Sequence, residues 1–562
     1  MIKLAILIKL AISIITSVVA TLIFAKCLPL RKSIYILLAL LILPVIALIF
    51  INPKFAVAGW HEFLHASIVF NIMNGLVPPE DVLLAGYPLK YPWAHHYLVA
   101  LLCQIAHIAP PMGFALSNII ALIASAVAIF KTAQLIHPMR QTGIFAVFLS
   151  IFGTSIFFLE PRLDNRALPL HKFASANSNP LGFCLFFVCL FFLIRLFANR
   201  GKSYINGSGI AFSIAATAFL YPICWLAMSV TCISVCLGQV GAKRGRSWQP
   251  ALIVLLALFF GSALAMPYLH SIGTGKASTA EFSFNFNVGD RLIALFLVSS
   301  LPLLILWVKR HNRKALLNDH SSEVLTIVFA GIGLVLLYIF VTIPLACEYK
   351  FLMLLMAVIG IFTAPFFKSL YQENSVFAKL IIALLFLPTA LMFVNMFTQV
   401  KFADPVYANG INIRHYDTHM DKLYSWIATE TPVDTVVVDS FLSIPVLSRR
   451  SLYVATDLRR KQYPSLTSSD GWSIYAKTLS TEIYGQDQGV VQYRLQNAIA
   501  LLTPNSKDIV NAAAESVKQE FDQRQVIVIV RNPTVQSALD ANPHFSRIFE
   551  ESSIGVYTIE PI

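Results

Sequence analysis

Charge is scarce in this 562-residue chain: Asp, Glu, Lys and Arg make up 13% of it, against 57% hydrophobic residues. That balance excludes an ordinary water-soluble protein, because apolar runs of ~20 residues, the length that crosses a bilayer as a helix, recur from the N-terminus to about residue 400. Cysteine is sparse as well. All 8 cysteines precede residue 348, most inside apolar runs, and no CxxC pair or metal-type Cys/His spacing occurs, so a disulfide framework has no support. The polar C-terminal part lacks GxGxxG, GxxxxGK[ST] and GxSxG, which leaves a nucleotide or esterase site there without a motif. No internal repeat or low-complexity tract is present.

What is there reads as a polytopic membrane protein. The first apolar run, Leu4 to about Leu28, is longer than a secretory core, lacks a convincing cleavage site and is followed at once by another, so it reads as a retained helix. The net charge of +13 does not point to nucleic acid, because many of the basic residues sit in short loops between apolar runs. The clusters Lys26/Arg31/Lys32, Arg195/Arg200/Lys202, Lys243/Arg244/Arg246 and Lys309/Arg310/Arg313/Lys314 set orientation instead, and place those loops in the cytoplasm.

Fixing these loops inside predicts helices near 113–136, 142–159, 181–198, 207–222, 224–241, 250–269, 291–308, 324–345, 350–367 and 378–399. The total is about twelve crossings at ~20 residues each. Residues 95–109 lack the length of a full crossing and precede Pro110-Pro111, so they are expected as a half-inserted or interfacial helix. The polar stretches 52–112 and 160–179 and the segment after Lys401 then share the extracytoplasmic side. The expected fold is mainly α: residues 1–400 form a transmembrane helix bundle with those two outer loops, and 401–562 form a soluble α/β domain in which helical and strand-like segments alternate. A bacterial cytoplasmic membrane is the expected location, and an endoplasmic reticulum membrane would fit the same topology.

The strongest isolated motif is HEFLH. On a helix His61 and His65 lie four residues apart on one face and could share a zinc ion, with Glu62 beside them to polarise a water, as in a metalloprotease. A catalytic zinc needs a third protein ligand, and His95, His96, His107, Asp164 and His171 carry no ligand spacing. Downstream runs VPPEDVLLAGYPLKYPWAHH, an extended path with Tyr87, Tyr91, Trp93 and His96. Aromatic rings and polar groups there suit stacking on sugars and contacts to hydroxyls and phosphates.

An acidic residue in the first large outer loop, followed by G-x-x-PP-E-D-x-x-x-AG-x-x-x-x-Y-x-x-x-HH, resembles the GT-C superfamily of polytopic membrane glycosyltransferases. Fainter echoes are EPRLDN, YPICW, EYKFL and, near the C-terminus, W-x-x-x-x-TP-x-D-x-x-V followed by SRRSLYV. Only residues 59–97 match in detail. The resemblance implies a transferase that takes a sugar from a polyprenyl-phosphate donor and passes it to an extracytoplasmic glycan or lipid acceptor, with an acidic residue of the first outer loop as general base.

Glu62 occupies the expected place for that base, although the superfamily more often has Asp there, and Asp81 is its rival. The plain alternative makes Glu62 an interfacial carboxylate bonded to a histidine and lets Glu80 and Asp81 cap a turn. The resemblance also implies carboxylates for a divalent cation, Mg²⁺ or Mn²⁺, at Glu160 and Asp164; a local salt-bridge network with Arg162, Arg166, His171 and Lys172 is the simpler account. No cofactor is required with certainty. Lys350, beside Glu348 at the head of an apolar run, is the expected contact to the donor phosphate, since charge at such a depth is costly. Its bland reading is an ion pair with Glu348. Arg449, Arg450, His95 and His96 are further phosphate candidates, and Tyr87, Tyr91, Trp93 and Glu348 are expected at the substrate. Two other classes stay open: a zinc-dependent membrane metalloprotease, and a lipid-linked sugar transporter or flippase, which would place ionisable residues mid-helix.

Overall fold

The computed structural model describes residues 60–152, 172–173, 178–242, 248–272, 283–284, 289–296, 299, 321–343, 347–372, 376, 419–440, 444–456, 480–481, 484–551 and 553–560. The helices expected before residue 60, the rest of the 291–308 run and the 378–399 run lie outside the described residues. By its internal contacts the chain divides into two compact units, one comprising Met1–Phe55, Ala115–Leu269 and Ala280–Ala403, the other Ala56–Phe114, His270–Thr279 and Asp404–Ile562.

Chain order begins with α1 (Trp60–Met73), α2 (Ala94–Ala106), α3 (Pro110–Ile136), α4 (Arg140–Phe152), α5 (Asn179–Phe197), α6 (Ser203–Leu220), α7 (Pro222–Ala242) and α8 (Trp248–Ile272). A two-residue strand β1 (Ser283–Phe284), α9 (Ser321–Phe340), β2 (Val341–Thr342) and α10 (Tyr349–Gln372) complete the apolar part. Then follow α11 (His419–Glu430), β3 (Val436–Val438), α12 (Ile444–Leu447), β4 (Ser451–Leu452), α13 (Gln488–Leu502), α14 (Lys507–Glu520), β5 (Val526–Val530), α15 (Pro533–Asp540), β6 (Phe545–Glu551) and β7 (Ile554–Ile559).

Among the described residues six helices are long and apolar enough to cross a membrane: α3, α5, α7, α8, α9 and the Tyr349–Leu370 part of α10. Their starts and ends lie within a few residues of the sequence-based spans. In the first unit α10 packs on α4 and α9, α7 on α9, and α5 on α6. Gly360 permits the approach of α10 to α4: a Cβ added there would meet the Ser150 backbone nitrogen at 2.8 Å, and the Ser150 hydroxyl donates to the Ala357 carbonyl at 2.8 Å. Helix termini that the basic-loop topology puts on one side are brought together. Arg200, just past α5, pairs with Glu323 in the first turn of α9 at 2.6 Å.

In the second unit the run VIVIV forms β5, buried along its whole length, as a strand covered on both faces must be. The sheet order is β4-β3-β5-β7-β6, with β4, β3 and β5 parallel and β7 antiparallel to both β5 and β6. Asp487 caps α13 by accepting from the Gly489 and Val490 amides, and Asn532 caps α15 by accepting from the Thr534 amide. The expected α/β character of the C-terminal segment is therefore present. Residues 52–112 were expected with the helix bundle, yet Ala56–Phe114 groups by its contacts with the C-terminal segment. The reason is edge pairing: the Leu452 amide donates to Val82 O at 3.0 Å, the Ala85 amide to Leu452 O at 2.8 Å and the Ala455 amide to Leu83 O at 3.0 Å. The loop thus covers the outer edge of β4, which would otherwise present unpaired amides and carbonyls.

Residues 95–109 hold the short helix expected of them. α2 stops at Ala106, His107 adopts a left-handed conformation at φ 53°, and a new helix starts at Pro110, where a missing N–H costs nothing.

Candidate functional site

In the second unit α1 and α2 pack together and bury three histidines, His65, His95 and His96, each 0% exposed. His65 Nδ1 lies 2.6 Å from His96 Nε2, and their rings stack with centroids 4.9 Å apart. Tyr91 and Phe114 tilt against the same rings. Glu62 and His61 lie on α1, whose backbone is described there while their side chains are not. His95 and His96, expected at the phosphate, are therefore packed between helices and aromatic rings, and one His96 nitrogen faces His65.

The VPPEDVLLAGYP loop that follows is held from both sides. Asp81 is 0% exposed; its carboxylate accepts from the Leu83 amide at 3.0 Å and from the Ser480 hydroxyl at 2.8 Å. Burial pushes its carboxyl up from 3.8 to about 6, against the downward pull of those two hydrogen bonds and of Arg494. Glu80 takes a two-pronged contact from Arg524 at 3.0 and 3.1 Å and accepts from the Gly86 amide at 2.8 Å. Lys90 donates to the Gly485 carbonyl at 3.1 Å. Tyr87 is half-buried with the Arg494 guanidinium 5.0 Å from its ring centroid, Tyr91 lies 5.9 Å from Tyr484 by ring centroids, and Trp93 occupies the residue before α2.

The two arginines of SRRSLYV part company. Arg450 is buried and donates to Thr431 Oγ1 and to the carbonyls of Ala428, Thr431 and Arg449, so its fork is committed within the domain. Arg449 is exposed, at a left-handed φ of 57°, with its guanidinium over the Phe70 ring at 4.8 Å.

The first unit holds the other candidate cluster. Lys350, at the second position of α10, is 8% exposed and lies over the rings of Tyr221 at 5.0 Å and Tyr349 at 5.8 Å. Lys172, 7% exposed, approaches the same Tyr349 ring at 4.7 Å. Two buried ammonium groups thus flank one tyrosine. Glu348 is not the partner of Lys350: its carboxylate pairs with Arg291 at 2.8 Å, and Arg291 also donates to Thr342 Oγ1 and to the carbonyls of Tyr338, Ile339 and Val341. Glu160 and Asp164 lie outside the described residues.

Lys172, Tyr221, Tyr349, Arg291 and Arg494 were not among the expected site residues. Arg291 heads an apolar run as Lys350 does, so the same signal was present there. Lys172 carried only the weaker expectation of a local salt bridge. Among the described residues no group of three or more His, Cys, Asp or Glu side chains is arranged to hold a metal ion.

The chain is similar in fold to solved structures of other proteins. One such structure is ArnT from Cupriavidus metallidurans: its form bound to undecaprenyl phosphate aligns at a TM-score of 0.51 and 10% identity over 93% of this chain and 97% of that one. The apo form of the same protein aligns at 0.50 with the same identity and coverage. AglB, an oligosaccharyltransferase from Archaeoglobus fulgidus, aligns at 0.47 and 9% identity over 89% of this chain and 69% of that one. No protein-family model matches the sequence, and no curated protein matches it significantly.

Proposed function

We propose that the protein is a membrane-embedded GT-C-type glycosyltransferase. It takes a sugar from a polyprenyl-phosphate donor and transfers it to a glycan or lipid acceptor on the extracytoplasmic side of a cytoplasmic membrane. The observation that carries this reading is the buried ammonium of Lys350 at the head of α10, over the rings of Tyr221 and Tyr349, with Lys172 beside the same Tyr349. Charge buried at the head of an apolar helix is costly enough to point to a role, and a phosphate on a membrane lipid is a ligand that the Lys350 ammonium there can receive. ArnT, which shares the fold, was solved with undecaprenyl phosphate, and that ligand class suits the cluster.

In this reading Glu62 is the general base. Its carboxylate takes the acceptor proton as the acceptor oxygen or nitrogen bonds to the anomeric carbon. The bond from that carbon to the phosphate oxygen breaks, and the lysines stabilise the charge left on the polyprenyl phosphate. Glu160 and Asp164 are the proposed oxygen ligands for a Mg²⁺ or Mn²⁺ ion, which would supply further positive charge at the same phosphate. Asp81, buried and bonded to Ser480 and Leu83, is better suited to holding its loop than to meeting an acceptor. Arg450, His95 and His96 are likewise assigned to packing, while Arg449 stays a phosphate candidate by its exposure. Tyr91, Trp93 and Tyr87 are the proposed sugar contacts.

The zinc-protease reading rests on His61, Glu62 and His65 and draws no support from His65 Nδ1, which faces His96. The transport reading wants ionisable groups mid-helix, whereas Lys350 and Glu348 sit at a helix start. The test is transfer by the purified full chain in detergent, with radiolabelled polyprenyl-phosphate sugars and a panel of glycan and lipid acceptors. Glu62→Gln should lower turnover about 10²–10⁴-fold while donor binding persists. Transfer unaffected by Glu62→Gln would remove the base assignment, and absence of transfer across the panel would remove the transferase reading.

A further inference from the structure

Arg494 is the most deeply buried arginine among the described residues of the second unit, with 1% of its side chain exposed. Its partners come from three separate stretches of chain. Nε donates to Glu520 on α14 at 2.9 Å, and Nη1 donates to the Ala85 carbonyl at 2.7 Å and to the Tyr453 carbonyl at 2.9 Å. The guanidinium plane lies within 5.0 Å of the ring centroids of Tyr87, Tyr453 and Phe521. A buried guanidinium is expensive, and one of the uses that can retain it is to fix a register that an apolar residue of the same size would leave loose. Lysine could substitute only in part, since a single rotating ammonium cannot satisfy a fork of carbonyls and a carboxylate at once.

The loop side of this contact is equally constrained. Gly86 has φ +79°, and a Cβ there would sit 3.2 Å from the Phe521 ring and 3.8 Å from Arg494. Glycine is therefore required both by its backbone and by the closeness of the ring. We propose that Arg494 is a positioning residue: it fixes the Gly86 turn, and with it the Tyr87 ring, onto the C-terminal domain, so that the first outer loop and that domain present one sugar-binding surface. This rests on the transferase reading in so far as Tyr87 is a sugar contact. The role extends beyond stability because the two residues flanking Gly86 are the ones Arg494 grips, Ala85 by its carbonyl and Tyr87 by its ring.

The experiment measures amide hydrogen exchange by mass spectrometry on the full-length protein in detergent, beside steady-state transfer kinetics, for Arg494→Met, Arg494→Lys and Gly86→Ala. The expected result for Arg494→Met and Gly86→Ala is exchange over residues 82–87 raised about 10-fold or more, with residues 526–530 still protected. In the same variants the Michaelis constant for sugar donor or acceptor should rise about 10-fold with turnover within a factor of about 3, and Arg494→Lys should restore part of the loss. If Arg494→Met also exposes residues 526–530, the domain has unfolded and Gly86→Ala alone decides. Unchanged protection over 82–87 overturns the proposal, as does a loosened loop with an unmoved Michaelis constant. Failure of the wild-type protein to transfer any sugar would sink the proposed function, and with it the sugar-binding part of this role, while the exchange data still decide whether Arg494 holds the loop.

Discussion

Lys350 lies over the ring of Tyr221, 5.0 Å from its centroid, although Glu348 stands only two positions away in the sequence. The carboxylate turns instead to Arg291. This division leaves an ammonium packed against aromatic faces, with a second ammonium, that of Lys172, on the far partner Tyr349. Ring faces attract a cation without neutralising it, so the Lys350 ammonium keeps its positive charge against the Tyr221 and Tyr349 rings.

Replacing Lys350 by Met should therefore weaken binding of a polyprenyl phosphate by about 10–100-fold, the loss of one charge-assisted contact. Lys172→Met should act in the same direction. Both variants should stay folded, since a methionine can occupy the space among the rings. Binding of labelled undecaprenyl phosphate to purified protein checks this, and unchanged affinity in both would remove the phosphate site.

Arg291 is expected to matter for stability. It holds Glu348 and four backbone or side-chain oxygens near the junction of α9 and α10. Arg291→Met strands a largely buried carboxylate and should cost about 3–5 kcal/mol, read as a lowered unfolding temperature in detergent. Pairing it with Glu348→Gln should recover part of the loss.

Asp81 makes stability depend on acidity. Its carboxyl is raised from 3.8 to about 6 in the folded chain, so the folded state binds the proton more tightly than the unfolded one. The associated stability is fully present below about pH 4 and is lost as pH rises through about 6. A shift of this size is worth about 3 kcal/mol at most. Asp81→Asn, which stays neutral and can bond both Leu83 and Ser480, should flatten this dependence between pH 4 and pH 6 in exchange measured over residues 82–87.

Metal content separates the two readings of HEFLH. Elemental analysis of the purified protein should give well under one zinc per chain. A full equivalent of zinc that disappears in His65→Ala would make the motif a metal site and withdraw Glu62 from its role as acceptor base.

Much of the architecture was legible before the structure, because a 20-residue apolar run has few other uses in a chain and basic loops order the crossings. The spans near 181–198, 207–222 and 224–241 match α5, α6 and α7 closely. YPICW and EYKFL were visible as separate echoes, and Tyr221 of one proves to lie over Lys350 of the other. What the sequence did not reveal is who pairs with whom. Glu348 and Lys350 are neighbours on paper, but Arg291, 57 positions away, approaches from another element and takes the carboxylate. Arg494 was invisible for a related reason: in VVQYRLQNA it looks like any exposed arginine on a polar helix, and its burial is created by Ala85, 409 residues earlier.

That last separation bears on how the molecule is made. The strand edge at Leu452 is closed by Val82 and Ala85, so the loop that leaves the ribosome early has no mate until the far end of the chain has been translated. Its backbone must wait in water while the intervening helices insert, and the sheet cannot close without it. A fragment beginning after residue 400 would therefore carry a bare edge and tend to aggregate, whereas the same fragment co-expressed with a polypeptide ending near residue 114 should be rescued.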